Sequence, residues 1–209
     1  MTLGVLMRIC CLLLLLSISC TAFAASTPEQ SVGDAQRALN TKSADRFDQL
    51  VDTRHILDAA ADLLLTEVDK PNGRLPPMLA LMLSSVKDSQ ALASFRTLIT
   101  QEMHNFVRYG IVSGHFAGKP DHSVHPGGVL APLFSGVSLG RKEMLVAGPS
   151  APIGKDRVLL PVELKDYGNG NTYPLLLRLQ WTSPDWRIME IVNLPDIWSR
   201  ILAEAETQK

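Results

Sequence analysis

Residues 157–193 read RVLLPVELKDYGNGNTYPLLLRLQWTSPDWRIMEIVN, and period-2 alternation, turn residues and aromatic anchors agree there as nowhere else in the chain. Val158, Leu160, Val162 and Leu164 share one face of a first strand, with Glu163 and Lys165 among the residues on the other. Pro161 falls within it and has no N–H to give to a ladder, so the strand is expected at an edge or with that nitrogen turned from a neighbour. The Gly- and Asn-rich run from Asp166 to Thr172 closes a hairpin. Tyr173, Leu175, Leu177, Leu179 and Trp181 then align on one side of a second strand. Thr182–Asp185 supplies another turn, and the strand after it, Trp186 to Val192, loses phase at Met189, which predicts either a bulge or two covered faces. Pro195 opens a last helix, about 195–206, with Ile197, Trp198, Ile201 and Leu202 at helical spacing.

Working back toward the N-terminus, the chain reads as helices over about 27–110. Thr27-Pro-Glu-Gln30 has the form of a capping box with proline at the first helical position, opening a helix that ends near Asn40. A short helix from Ser43 to Val51 carries Phe47, Leu50 and Val51, and Asp52 or Thr53 caps a third in which Ile56, Leu57, Ala60, Leu63, Leu64 and Val68 recur. Lys70–Pro77, with three prolines and a glycine, reads as a connector, and Met78–Leu83 as a short apolar helix. Asp88 or Ser89 caps the most regular amphipathic helix, with Leu92, Phe95, Leu98, Ile99, Met103, Phe106 and Val107 on one side. This helix is expected to be the main partner of the sheet. Residues 110–140 read as a long loop and Glu143–Ala147 as one more strand, so that the sheet occupies about 143–193. The fold class is α+β, with N-terminal helices packed on a curved C-terminal antiparallel sheet.

Met1–Ala24 reads as a signal peptide: Arg8, the apolar run Ile9–Ile18, and Ala22-Phe-Ala24 as a small-x-small cleavage pattern. The run is short for a bilayer span, so cleavage after Ala24 and a periplasmic or secreted location are expected, leaving residues 25–209 as a single domain. All three cysteines, Cys10, Cys11 and Cys20, lie in that leader, so the mature chain has no disulfide. Ser-Ile-Ser-Cys20 also allows a minority reading as a lipoprotein. Arg8 is the leader's sole charge, so its removal takes the formal net from −1 to −2, without the basic stripe that a nucleic-acid partner requires.

Helices followed by antiparallel strands, the last carrying Trp186-Arg-Ile-Met-Glu-Ile191 and leading into a terminal segment, form an order that resembles the nuclear transport factor 2-like (cystatin-type cone) superfamily. More narrowly, Ala44-Asp-Arg-Phe-Asp-Gln-Leu-Val-Asp52 before a helix is similar to the opening of an uncharacterised family of exported bacterial proteins. These likenesses imply a fold and leave the chemistry to be argued from a site. Phe47–Asp52 together with Phe95–Met103 also resembles periplasmic phospholipid carriers of the toluene-tolerance type, which implies a lipid tail held between helices and sheet.

Tyr173, Trp181, Trp186 and Phe106 are the candidate lining of a site for a small apolar ligand, the competing role being core packing. His115, His122 and His125, with Asp121 beside them, are weak candidate zinc ligands against a reading as solvated loop residues. His104 near Glu102 is a candidate base. Arg178, Gln180, Arg187 and Glu190, with Leu176 and Met189, lie on the sheet's second face, a solvated surface or the face of a homodimer. There is no glycine-rich phosphate loop, Gly-x-Ser-x-Gly, His-Glu-x-x-His or paired-cysteine motif, so no catalytic residue and no cofactor is assigned. The expected function is a non-enzymatic exported domain that binds a partner protein or a small apolar molecule between the long helix and the sheet. The alternatives are a phospholipid-carrier-like protein and a hydrolase or isomerase using the loop histidines and acids.

Overall fold

In a computed structural model of the chain, residues 26–68, 77–84, 86, 88–128 and 139–207 are described. The leader, its cysteines and the connector up to Pro76 lie outside the described residues. The C-terminal half is an open antiparallel sheet of five strands: β1 Lys142–Val146, β2 Ala151–Pro152, β3 Arg157–Asp166, β4 Asn171–Trp181 and β5 Trp186–Ile191. The order across it is β1-β3-β4-β5, with β2 pairing further along β3 on the side that carries β1. Among the described residues, six helices precede or follow it: α1 Pro28–Asn40, α2 Ala44–Leu50, α3 Thr53–Val68, α4 Pro77–Ser84, α5 Ser89–Val112 and α6 Leu194–Thr207.

The alternating pattern decides which face is dry. Val158, Leu160 and Val162 of β3 and Tyr173, Leu175, Leu177 and Leu179 of β4 are all buried, while Trp181, at the end of its row, is partly exposed. β3 is not at an edge. Instead Pro161 lies opposite Ala147, just past the end of β1, where the Ala147 N–H donates to Pro161 O at 2.9 Å and the proline has none to return. The missing bond therefore falls in the gap between β1 and β2. In β5 the phase loss resolves as a bulge: Glu190 opposes Arg178 and Ile188 opposes Leu179, which leaves Met189 as the extra residue. That residue returns Ile191 to the face of Trp186 and Ile188, and all three pack into one core.

α1 starts as its capping box requires, with Gln30 N donating to Thr27 Oγ1 at 3.1 Å and Thr27 N to Gln30 Oε1 at 2.8 Å. Its Val32 and Ala35 join Leu50 and Val51 over the dry face of the sheet, and Ile197 of α6 closes the same core. α1 also guards an edge: Gln36 Nε2 donates to Lys142 O at 3.2 Å and Gln36 Oε1 accepts from Met144 N at 2.7 Å. At the opposite edge Val51 bridges Ile188, with Asp52 N donating to Ile188 O at 2.7 Å. Both free flanks of the sheet thus give backbone groups to helical partners.

The long helix α5 does not take the expected role as main partner of the sheet. Its Phe95 and Ile99 pack instead with Ala61 of α3, together with Leu64, Leu65, Met82 and Leu83, and form a separate helical cluster. Only the far end of α5 reaches toward the strands, where Ile111, Phe106 and Val107 meet Leu39, Ala44, Phe116 and Met144. Gly110 makes this possible, because a methyl group there would overlap the Phe116 ring. The small, buried Ala35 lets α1 lie closer to the sheet than the bulky stripe of α5 allows.

Leu179 is 0% exposed in the middle of the dry face. Leu179→Ala is expected to cost about 2–5 kcal/mol in urea unfolding, and Trp181→Ala less, because the Trp181 site is open to solvent on one side.

Candidate functional site

The structure does not gather the four aromatic candidates. Tyr173 and Trp181 share a face of β4 but are eight residues apart, which at strand rise is about 26 Å. No small ligand touches both. Trp181 and Trp186 do meet across the β4–β5 hairpin, edge to face with ring centroids 5.7 Å apart. Phe106 belongs to the junction between α5 and β1, where it meets Phe116 edge-on at 6.5 Å.

Tyr173 is instead part of the clamp that holds the C-terminal helix. Its hydroxyl donates to Glu204 Oε2 at 2.7 Å and accepts from Asn169 Nδ2 at 2.9 Å, while Asn171 Nδ2 donates to the same glutamate oxygen at 2.7 Å. Arg200 donates to Glu204 Oε1 at 2.8 Å and lies over the Tyr173 ring, 5.0 Å from its centroid. The hydrogen bond from Tyr173 holds the Glu204 carboxyl below its usual range, and burial next to that carboxylate raises the Tyr173 phenol.

A second polar centre is built on Asp48, where α2, α3, α5 and β5 converge. Asp48 Oδ2 accepts from Arg108 at 2.5 Å, and Oδ1 accepts from Thr53 Oγ1 at 2.9 Å, with His104 Nε2 at 3.6 Å. Arg108 also donates to Asp45 at 2.7 Å, and Arg187 reaches Asp48 O at 3.3 Å and Asp52 at 3.6 Å. The carboxylate beside His104 is therefore Asp48 and not Glu102. Residues two apart on a helix point to different sides, and Glu102 lies buried against Gly128. Thr53 Oγ1 donates to the carboxylate, and the centre joins four elements of the fold.

The histidines after α5 fall in a compact turn. Ser113, fully buried, bonds Tyr109 O at 2.5 Å and His115 Nδ1 at 2.7 Å. His115 and His122 sit edge to face with centroids 6.2 Å apart. Asp121 turns its carboxylate to the Ser123 N–H at 3.0 Å and hydroxyl at 2.6 Å, the hydroxyl bond being the main reason its carboxyl is held low. His125 is exposed. Among the described residues, no three His, Cys, Asp or Glu side chains come together as a metal site. Ser113 was not singled out by the sequence reading; a hydroxyl four residues after Tyr109 at a helix end, two before a histidine, is the signal that points to it.

The apolar surface lies elsewhere, on α3, α4 and α5. Among the described residues their cluster has the buried Ala61, Phe95 and Ile99, surrounded by half-buried Leu64, Leu65, Met82, Leu83, Val86, Leu98 and Met103. Leu81 on α4 is 72% exposed and Leu92 on the first turns of α5 is 42% exposed. No helix among the described residues is long and apolar enough to cross a membrane. Comparison of the chain with protein-family models, with curated proteins and with solved structures finds no match.

The clamp on α6 has a definite pH signature. Because the Glu204 carboxyl is lowered on folding from 4.5, its contribution is complete above that value and is lost as pH falls through the folded value. The thermal unfolding midpoint of the wild type is expected to exceed that of Glu204→Gln at about pH 7, with the gap closing as pH falls below 4.5.

Proposed function

We propose that the chain is an exported, non-enzymatic binding domain that takes an apolar ligand, or an apolar segment of a partner protein, on its helical cluster. The observation that carries this reading is the exposure of Leu81, at 72%, beside the half-buried Leu64, Leu65, Met82 and Leu83. Apolar side chains that are half-buried around a small core gain free energy from a further apolar cover, at about 25 cal/mol for each Å² removed from water. The methionines there, Met82 and Met103, adapt to ligands of different shape. Relative to the sequence expectation, the site moves from between the long helix and the sheet to the face formed by α3, α4 and α5. The two polar centres are read as structural, because the hydrogen bonds of each join elements of the fold to one another. The likeness to the nuclear transport factor 2-like superfamily belongs to the same reading, supported by the order of helices, antiparallel sheet and terminal helix.

The probe is 8-anilinonaphthalene-1-sulfonate, with native mass spectrometry of protein purified from its own host. Leu81→Asp is expected to reduce the dye signal at least about twofold and to remove co-purified apolar mass. Stability should stay within about 0.5 kcal/mol, since Leu81 is at the surface. A dye signal unchanged by the substitution, with no apolar mass on the wild type, would reject the assignment.

A further inference from the structure

We infer that His115 and His122 form a two-imidazole binding site for a first-row transition-metal ion such as zinc. One serine proton faces two neighbours. Ser113 Oγ lies 2.5 Å from Tyr109 O and 2.7 Å from His115 Nδ1. A hydroxyl has a single hydrogen and a carbonyl only accepts, so the Ser113 proton goes to Tyr109 O. His115 Nδ1 must then carry its own proton and donate it to Ser113 Oγ. The remaining ring nitrogen, Nε2, holds the lone pair in the neutral ring.

This is the arrangement by which proteins prepare a histidine ligand: one ring nitrogen is tied back through N–H to an oxygen, which fixes both tautomer and ring orientation, and the other is left to the metal. Here the oxygen belongs to a fully buried serine that is itself anchored to the backbone of α5. The Tyr109 ring, 5.4 Å away between centroids, restrains the imidazole from one side. A solvated loop histidine has none of these constraints.

His122 supplies the second imidazole, its ring centroid 6.2 Å from that of His115. With zinc–nitrogen bonds of about 2.0–2.1 Å, two imidazoles on one ion have centroids about 5–6 Å apart. A small movement of the exposed His122 side chain closes the difference. Its backbone is held by the turn after Asp121, whose N–H donates to Ser113 O at 2.6 Å and whose carboxylate caps Ser123. The segment bearing the second ligand is thus pinned to the residue that orients the first. Water completes the coordination, so the site binds an ion reversibly and does not build the fold.

The test is calorimetric titration of zinc chloride into the untagged full chain, since a polyhistidine tag would supply competing imidazoles. One ion is expected to bind per chain, with His115→Gln and His122→Ala each weakening it at least about tenfold and His125→Ala leaving it within about twofold. Ser113→Ala keeps both ligands and is expected to weaken binding about tenfold, whereas Ser113→Thr, which retains the hydroxyl, restores it. His122 is on the exposed turn, so its variant reports on binding even where a substitution at Ser113 disturbs folding. Absence of saturable zinc binding by the wild type, or binding indifferent to both His115→Gln and His122→Ala, would overturn the assignment.

Discussion

β4 runs between β3 and β5 with Tyr173, Leu175, Leu177 and Leu179 all on one face, and that one-sided row is the constraint the rest of the molecule obeys. Four large side chains cannot be left wet, and a sheet with one dry face needs a cover of matching area. α1, the end of α2 and α6 provide it through Val32, Ala35, Leu50, Val51 and Ile197. The bulge at Met189 follows from the same demand, because without the extra residue Ile191 would turn to the wet face. With α1 and the Val51 segment on the sheet, α3 reaches its core through Ile56, while the body of α5 pairs with α3.

Besides the junction cluster around Ile111 and Phe116, the described residues form two apolar clusters of different character. The sheet core is large and contiguous, whereas the α3–α4–α5 cluster is rimmed, among the described residues, by half-buried Leu and Met. Between them runs the Asp48 centre, where Arg108, Thr53 and Arg187 tie α5, α3 and β5 to one carboxylate-bearing residue of α2.

Much of this architecture was legible from residues alone because it rests on local rules. The strand alternation, the capping box at Thr27, the Asp88 cap of α5 and the phase loss at Met189 all appear where periodicity and cap chemistry place them. What could not be read was which helix meets the sheet. α5 is the longest of the described helices and carries an extended apolar stripe, yet such a stripe says only that a face is buried and not against what. α1 wins through the small Ala35 and through Gln36, whose amide matches the spacing of Lys142 O and Met144 N. The separation of Tyr173 from Trp181, and of both from Phe106, was hidden for a related reason: a row on one strand face looks like one patch in sequence and is about 26 Å long in space.

The Gln36 amide carries a consequence for how this chain avoids its neighbours. It fills two backbone positions on β1 that a foreign strand would otherwise read as an invitation to extend the sheet. Just beyond, Pro149 and Pro152 interrupt the same border, where Val146 and Ile153 face water. Protection against intermolecular stacking is thus shared between a movable side chain and fixed imide rings. A transient lifting of α1 would bare the Lys142–Met144 portion while the proline-bearing portion stays closed to recruitment, which limits any aberrant contact to a few residues.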